Sequence, residues 1–225
     1  MTHENLHSAD PAAGKRKYKG FFVTFEGPDA SGKTTQLGLL EKYLREKGVD
    51  FIMTREPGGT PISEKIRNII LDKANGEMLP MTEALLYAAS RAQHTGELII
   101  PALQEGKLVI SDRYLDSSIA YQGYGRDMGE VISAINQPAT GGLKPDLTIL
   151  LSTDTSKMRS RRAAEDEDRM DAQKAEFHAA VMEGYLKLAE KEPDRIKTVD
   201  GERSIDEIAE EIRSLADRYL ADFYR

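Results

Sequence analysis

A loop near the start of the chain has the residue types and the spacing that hold a polyphosphate. Residues 27–34 fit the pattern Gly-x-x-x-x-Gly-Lys-Ser/Thr at every specified position, between a β-rich run and a helical pattern. The glycines let the backbone wrap so that amide N–H groups point at phosphate oxygens, and the following helix adds the partial positive charge of its N-terminus. The lysine can reach the β- and γ-phosphates, and the threonine hydroxyl can bind Mg²⁺. The predicted nucleotide-binding residues are Gly27, Pro28, Asp29, Ala30, Ser31, Gly32, Lys33, Thr34 and Thr35.

A carboxylate after a hydrophobic run is a candidate for the same metal ion. Residues 108–110 predict a strand, and Asp112 follows two positions later. At the carboxyl end of a parallel strand, Asp112 would face the crevice in which ligands bind. We therefore predict that Thr34 and Asp112 lie around Mg²⁺. A strand-end aspartate can also cap a turn, so that alternative stays open.

Three classes of protein share such a loop: small-molecule kinases, GTPase switches and mechanical ATPases. The sequence lacks the Asn-Lys-x-Asp motif that reads guanine. A mechanical ATPase usually needs more chain and a sensor and finger system, for which no candidates are found. A small-molecule kinase needs a second anion site for its acceptor and a basic cover that excludes water. Candidates for both are present.

Arginines near predicted loops or on helices are candidates for the acceptor site: Arg55, Arg67, Arg91 and Arg113. Tyr87 and Arg91 are four residues apart and would share a helix face. A ring that stacks on a base, one turn from a guanidinium that holds a phosphate, suits a nucleoside monophosphate. The spacing fits a surface arginine beside a half-buried tyrosine equally well.

The candidate for the cover is the charged stretch 157–171. Its arginines are Arg159, Arg161, Arg162 and Arg169, interspersed with acidic residues. One hypothesis is a lid whose arginines close over the transferring phosphoryl group. The alternative is a solvated charged loop or helix face.

The pattern of the whole chain predicts a sheet that carries these residues. Short hydrophobic runs at 21–25, 49–54, 108–110, 147–151 and 196–199 alternate with helical patterns. Strands without clean alternation, separated by helices, favour a parallel sheet that is covered on both faces. Ser204 and Glu207 form a capping box at the start of the last helix. We expect one domain over residues 20–225 after a flexible tail, residues 1–19.

Composition excludes several classes of protein. The chain has 225 residues, 31 Lys+Arg against 38 Asp+Glu, a net charge of −7 and no cysteine. The acidic balance argues against a protein that coats nucleic acid, and the absence of cysteine excludes disulfides and thiolate metal sites. No apolar run approaches the ~20 residues that span a bilayer, and the N-terminus lacks the apolar stretch of a signal peptide. We therefore expect a cytoplasmic protein without nucleic-acid or membrane partners.

Several motifs together resemble the thymidylate kinase family, and the resemblance covers nearly all of residues 20–225. It includes Gly-Pro-Asp-Ala-Ser-Gly-Lys-Thr-Thr from Gly27, Thr-Arg-Glu-Pro-Gly-Gly-Thr from Thr54, and Asp-Arg-Tyr from Asp112. It continues in Ser-Ser-Ile-Ala-Tyr-Gln-Gly from Ser117 and in Asp-Arg-Met-Asp from Asp168. The resemblance implies a phosphate-loop, three-layer α/β/α fold with five parallel strands. It implies the reaction of ATP with dTMP to give ADP and dTDP in dTTP biosynthesis, with Mg²⁺, in a homodimer.

The resemblance also implies roles for single residues. Tyr87 matches the aromatic residue that stacks on thymine, usually Phe in the family, and Arg91 matches the arginine at the base carbonyl edge. Arg67 and Arg113 match residues on the acceptor phosphate, and Asp29 matches the carboxylate at the sugar 3′-OH. The loop around Asp200 matches the segment beside adenine. Further substrate-binding positions are Arg55, Glu56, Ser117, Ser118, Tyr121 and Gln122, with Ser118 and Gln122 near the thymine edge.

The phosphate loop departs from some family members because it contains no arginine. The arginines lie in the lid instead, at about residues 153–171, which looks like the bacterial subtype. The expected catalytic residues are Lys33, Arg113, Arg159, Arg162 and Arg169. Alternatives are a kinase for another deoxynucleotide, a nucleoside kinase with Glu56 as general base, and a nucleotide-binding regulatory module without turnover.

Overall fold

Five parallel strands form one sheet in the order β2-β3-β1-β4-β5. The computed structural model describes residues 17–154, 169–170 and 173–224. The predicted fold class, an α/β fold with a five-stranded parallel sheet, is confirmed. The strands are β1 (Phe21–Glu26), β2 (Phe51–Arg55), β3 (Leu108–Asp112), β4 (Leu147–Ser152) and β5 (Ile196–Asp200).

Helices connect the strands and cover both faces of the sheet. They are α1 (Lys33–Glu46), α2 (Pro61–Leu71), α3 (Pro80–His94), α4 (Ile100–Gln104), α5 (Leu115–Ser118), α6 (Val131–Thr140), α7 (Ala175–Lys191) and α8 (Ile205–Tyr219). Two π-helical segments, Thr95–Ile99 and Ile119–Gly125, follow α3 and α5 directly. Short 3-10 turns lie at Lys73–Asn75 and Ala221–Phe223. In the part of the chain that the structure describes, no helix has the length and apolarity needed to cross a membrane.

Strand β1 shows why the sheet is buried on both sides. All six of its residues are buried. Phe21, Val23 and Phe25 pack in the cluster that includes residues of α1 and α8, whereas Phe22 packs on the opposite face with residues of α4 and β3. Side chains alternate across a strand, so a mostly apolar run whose residues are all buried contributes to both layers. Packing on both faces therefore fixes the position of β1, and with it the start of the phosphate loop that follows at Gly27.

Register brings the carboxyl ends of the first three strands to one edge of the sheet. Phe25 lies opposite Asp112, and Asp112 lies opposite Arg55. The phosphate loop follows β1 directly, so its neighbours are the ends of β2 and β3. Ligands of open parallel sheets bind at this edge.

Helix α6 departs from the sequence prediction. No helix is predicted over residues 131–140, yet α6 forms there and packs on α3, with Ile132 fully buried. Pro138 lies in its last turn, and Gly141 ends the helix in the left-handed conformation. Tertiary packing compensates for the weak local signal of a ten-residue helix that contains proline.

Candidate active site

The loop after β1 adopts the backbone conformation that a phosphate cradle needs. Gly27 has φ 135° and Gly32 has φ 94°, and a Cβ on Gly27 would lie 2.5 Å from the Leu151 carbonyl oxygen. Gly32 stands directly before α1, and no side chain caps the start of that helix. The first amide N–H groups of α1 therefore remain available to an anion.

Lys33 is folded back over this loop. Its Nζ donates to the carbonyl oxygens of Gly27 at 3.0 Å and Pro28 at 2.7 Å, and the residue is buried. Burial, together with the positive charge of Arg113, lowers the pKa of Lys33 to about 8. The ammonium group of Lys33 therefore lies beside the loop. It is held there by two backbone carbonyl groups, which the phosphates of a bound nucleotide can replace as its partners.

Arg113 joins the phosphate loop to the next strand end. Its backbone lies in the left-handed region, with φ 69°, and its amide donates to the Phe25 carbonyl oxygen at 2.9 Å. The guanidinium donates to Gly27 O at 2.9 Å, to Asp29 Oδ1 at 2.8 Å and to the Tyr121 hydroxyl at 3.3 Å. The Tyr121 hydroxyl in turn donates to Asp29 Oδ2 at 2.9 Å. This network fixes the guanidinium at the mouth of the loop.

A buried carboxylate that the sequence analysis did not select supports this arrangement from below. Glu26, the last residue of β1, accepts from the Tyr114 amide at 2.8 Å, the Ser117 hydroxyl at 2.5 Å and the Tyr185 hydroxyl at 3.0 Å. Tyr185 and Ser117 also accept from Arg113, both at 3.2 Å. Helix α7 therefore reaches the active site through Tyr185. A charged residue at the end of a hydrophobic strand, directly before the phosphate loop, is the signal that could have identified Glu26.

The environment of Glu26 makes stability depend on pH. Burial and the negative charge of Asp116 raise the pKa of Glu26 from 4.5 to about 7. Hydrogen bonds from Ser117 and the Tyr114 amide and the positive charge of Arg113 lower this pKa, but they compensate only in part. Between these values the folded state holds more protons than the unfolded state, so stability decreases as the pH rises.

We expect the free energy of unfolding of the wild type, minus that of Glu26→Gln, to fall by about 3 kcal/mol from pH 4.5 to pH 8. Glutamine keeps the size of the side chain and can still form hydrogen bonds, although its NH₂ group donates where a carboxylate oxygen accepted, and it does not titrate. Urea unfolding of both proteins at several pH values and constant salt measures this difference. A difference that stays constant over the range would contradict the titration of Glu26.

Two cavities meet at the carboxyl edge of the sheet. The loop cavity includes Lys33, Thr34, Thr35, Arg55 and Asp112, and the tyrosine cavity includes Tyr87, Arg91, Ser117, Ser118, Tyr121 and Gln122. Four residues line both cavities: Asp29, Glu56, Arg67 and Arg113. Two anionic ligands, one in each cavity, would meet end to end at this shared wall.

Arg91 is buried, which excludes the alternative of a surface arginine. Its Nε donates to Glu56 Oε2 at 2.8 Å, and other N–H groups donate to Ser118 Oγ and the Tyr114 carbonyl oxygen, each at 2.9 Å, and to Asn136 Oδ1. A guanidinium has five N–H groups, and the four contacts leave one for a ligand. Arg91 can therefore present one donor to a base while it holds the end of β2 through Glu56.

Glu56 is committed to structural partners. Arg91 occupies one carboxylate oxygen, and His94 Nδ1 lies 2.9 Å from the other. His94 Nε2 also lies 2.7 Å from Thr54 Oγ1. The side chain of Glu56 thus serves as a link between β2 and α3.

The metal-binding residues predicted from sequence lie together in the loop cavity. Thr34 and Asp112 both line it, and Asp112 Oδ1 is buried without a hydrogen-bond partner in the described ranges. Those ranges contain no cluster of three or more histidine or acidic residues that could hold a metal ion. Mg²⁺ typically keeps several waters and binds one or two protein oxygens plus substrate phosphates, so this sparse set fits.

The remaining predicted residues lie at different distances from the cavities. Arg67 donates to the Pro57 carbonyl oxygen at 2.7 Å, and Arg55 is half-exposed and paired with Glu64 at 3.0 Å. Asp200 ends β5 and accepts from the Glu202 amide at 2.9 Å. A Cβ on Gly201, the next residue, would lie 3.5 Å from Ser31 O, so the loop after β5 lies against the phosphate loop.

The predicted lid arginines are only partly described. Arg159 and Arg162 lie outside the described residues. Arg169 does not line the loop cavity: it is buried, pairs with Glu83 at 2.7 Å and donates to the Ile70 carbonyl oxygen at 2.8 Å. In this structure Arg169 thus lies on the acceptor side, paired with Glu83, and its contact with the transferring phosphoryl group stays a prediction. Glu83 and Arg126, which sequence reasoning missed, belong to the same cluster.

A phosphate loop joined through a charged wall to a second cavity defines a phosphate-loop kinase of small molecules. Residues 25–212 match the family model described as thymidylate kinase. The chain is 49% identical to the thymidylate kinase of Symbiobacterium thermophilum over 205 residues, which is 91% of this chain and 96% of that protein. It is 49% identical to that of Clostridium novyi over 199 residues, 87% of this chain and 97% of that protein.

A solved structure agrees with these sequence relatives. The crystal structure of thymidylate kinase from Ehrlichia chaffeensis superposes with a TM-score of 0.70 at 34% identity, and the match covers 88% of this chain and 98% of that chain. This chain belongs to the thymidylate kinase family and is a nucleoside monophosphate kinase.

Proposed function

We propose that this chain transfers the γ-phosphoryl group of ATP to dTMP across the wall that the two cavities share, giving ADP and dTDP. The observation that carries the proposal is the common lining of Asp29, Glu56, Arg67 and Arg113. ATP lies in the loop cavity and dTMP in the tyrosine cavity, so that the γ-phosphate and the acceptor phosphate face each other at Arg113. Proximity and alignment then supply a large part of the rate.

The donor is held by the backbone of the phosphate loop and by the start of α1. Lys33 leaves its two carbonyl partners and binds the β- and γ-phosphates. Thr34 and Asp112 would hold Mg²⁺, which would supply positive charge to the phosphates of the donor. The loop after β5, with Asp200, lies beside the adenine.

The acceptor is held by groups at both ends of the tyrosine cavity. Tyr87 stacks on the thymine, and the remaining N–H of Arg91 donates to a base carbonyl oxygen. At the other end Arg67 and Arg113 bind the phosphate, and Asp29 accepts from the sugar 3′-OH. Tyr121, held by Asp29, closes the space that a ribose 2′-OH would need. The other predicted contacts in this region are Arg55, Ser117, Ser118 and Gln122.

No general base is needed for this reaction. The acceptor is a phosphate oxygen, and a phosphomonoester with a second pKa of about 6 is already largely dianionic at neutral pH. The obstacle is the repulsion between two anions that must approach to bonding distance, and it is overcome by cations and backbone dipoles aimed at the transferring group. Arg159 and Arg162 of the lid are proposed to add to this charge.

The same geometry disfavours the nucleoside kinase alternative. A nucleoside acceptor needs a carboxylate that is free to take a hydroxyl proton, and Glu56 is bonded to Arg91 and His94 instead. The regulatory alternative is disfavoured because Lys33, Arg113 and Asp112 all line the loop cavity.

We also propose a cytoplasmic homodimer. On α2 and at α3, five large apolar side chains are exposed: Ile62, Ile69, Leu79, Met81 and Leu85. Apolar side chains grouped on adjacent helices are typical of an interface between subunits.

A coupled assay of ADP release tests the proposed reaction with dTMP, dUMP, dCMP, UMP and thymidine as acceptors. We expect the highest kcat/KM with dTMP, a loss of about 10- to 200-fold with dUMP because one methyl group is missing, and no turnover with thymidine. Mg²⁺ should be required throughout. Equal kcat/KM with dTMP and UMP, or faster turnover of thymidine, would contradict the proposal.

A further inference from the structure

A buried carboxylate on α3 contacts the tyrosine cavity through another side chain. Glu83 is 1% exposed and accepts hydrogen bonds from Gln122, Arg126 and Arg169. The contacts are Gln122 Nε2 to Oε1 at 3.0 Å, Arg126 Nε to Oε1 at 3.2 Å and NH2 to Oε2 at 2.9 Å, and Arg169 NH1 to Oε2 at 2.7 Å. Of these partners, Gln122 lines the tyrosine cavity.

Glu83 is ionised at neutral pH. Burial by itself would raise its pKa, but hydrogen bonds from Arg126, Gln122 and Arg169 outweigh burial, and the pKa lies below its usual value. An ionised carboxylate accepts hydrogen bonds and donates none. The positive charges of Arg126 and Arg169, which both pair with Glu83, also stabilise its ionised form.

The charge of Glu83 decides which end of the Gln122 carboxamide faces it. Only the NH₂ group can bond to a carboxylate, since the carbonyl oxygen would be repelled. The carbonyl oxygen is then the remaining polar atom of a side chain that lines the cavity, and in the described part of the chain no hydrogen bond to it is found. Gln122 therefore offers the cavity an acceptor and no donor.

We propose that Glu83 is a specificity-determining positioning residue, which locks Gln122 so that its carbonyl oxygen accepts from an N–H at the edge of the acceptor base. This inference rests on the proposed binding of dTMP in the tyrosine cavity. Thymine and uracil carry a hydrogen on N3, whereas N3 of cytosine is an acceptor that would face the oxygen of Gln122. A buried acceptor left without a donor is costly, so the lock rejects cytosine.

Glu83→Gln tests the lock, because a neutral carboxamide can donate as well as accept. Gln122 can then turn its NH₂ group toward the base. We expect the ratio of kcat/KM for dTMP over dCMP to fall by about 10- to 100-fold, through KM for both nucleotides. The ratio for dTMP over dUMP should stay unchanged, because both bases carry the N3 hydrogen.

Arg126→Gln is the matched control. It removes two hydrogen bonds to Glu83 but keeps the contact between Glu83 and Gln122, so it should lower the melting temperature without changing the ratio for dTMP over dCMP. The inference would be overturned if both variants changed the ratio for dTMP over dCMP equally, or if Glu83→Gln did not change it. Glu83 would then have only a structural role.

Gln122→Met keeps the test decisive if Glu83→Gln does not fold. It removes both polar atoms of the side chain, and we expect the same loss of discrimination against dCMP. A Gln122→Met protein that still rejects dCMP as strongly as the wild type would overturn the inference. A wild-type protein that does not phosphorylate dTMP would instead refute the proposed function, so the two failures are distinguishable.

Discussion

We expect Lys33→Ala to lower kcat by about 10²- to 10³-fold, the loss that follows when a preorganised charge on the transferring group is removed. In the free protein Lys33 Nζ bonds to the carbonyl oxygens of Gly27 and Pro28, so it is already within the loop. Its contribution grows as negative charge develops between the phosphates, and the effect therefore falls on turnover. Steady-state kinetics at saturating ATP and dTMP measure it.

We expect the fold to tolerate the loss of the Lys33 side chain. Gly27 O retains a hydrogen bond from Arg113, and only Pro28 O loses its side-chain partner. Circular dichroism and thermal melting should show a folded protein. Lys42→Ala, which removes an exposed lysine from the same helix, is the matched control and should keep kcat within about twofold. Near-wild-type turnover in Lys33→Ala would refute the role of Lys33.

Much of the fold could be predicted because its signals are local. The runs around Phe22 and Val109 are mostly apolar and do not alternate cleanly, as expected of strands buried on both faces, and the structure places them at the centre of the sheet. The capping box of Ser204 and Glu207 forms as predicted. Helix α6 lacks such a signal, because its residues are held by packing on α3.

Less of the site could be predicted, because the position of a side chain depends on partners far away in sequence. Spacing placed Tyr87 and Arg91 on one helix face, but it could not show that Glu56, 35 residues earlier, buries the guanidinium. In the same way, a run of charges suggested that Arg169 meets a phosphate. Only the tertiary structure shows Glu83 beside it.

Arg113→Ala is expected to have the second large effect, and it should raise KM for dTMP as well as lower kcat. Arg113 lines both cavities and is oriented by Asp29 and Tyr121, so it can contact the acceptor phosphate before and during transfer. Charge-assisted hydrogen bonds of this kind are worth about 1.5–3 kcal/mol each, and two such bonds correspond to a loss of about 10³-fold in kcat/KM. Initial rates over a range of dTMP concentrations separate the two parameters.

Two further variants show whether the geometry of Arg113 or only its charge matters. Arg113→Lys keeps the charge but loses the planar fork that reaches Asp29, Tyr121 and a phosphate together, so we expect it to recover only part of kcat/KM. Arg55→Ala removes an arginine that lines the loop cavity but is half-exposed and paired with Glu64, and its effect should be under about tenfold. Normal KM and kcat in Arg113→Ala, or equal losses in Arg55→Ala and Arg113→Ala, would contradict the placement of Arg113 between the two phosphates. Full activity in Arg113→Lys would show that a point charge suffices and that the network around the guanidinium is dispensable.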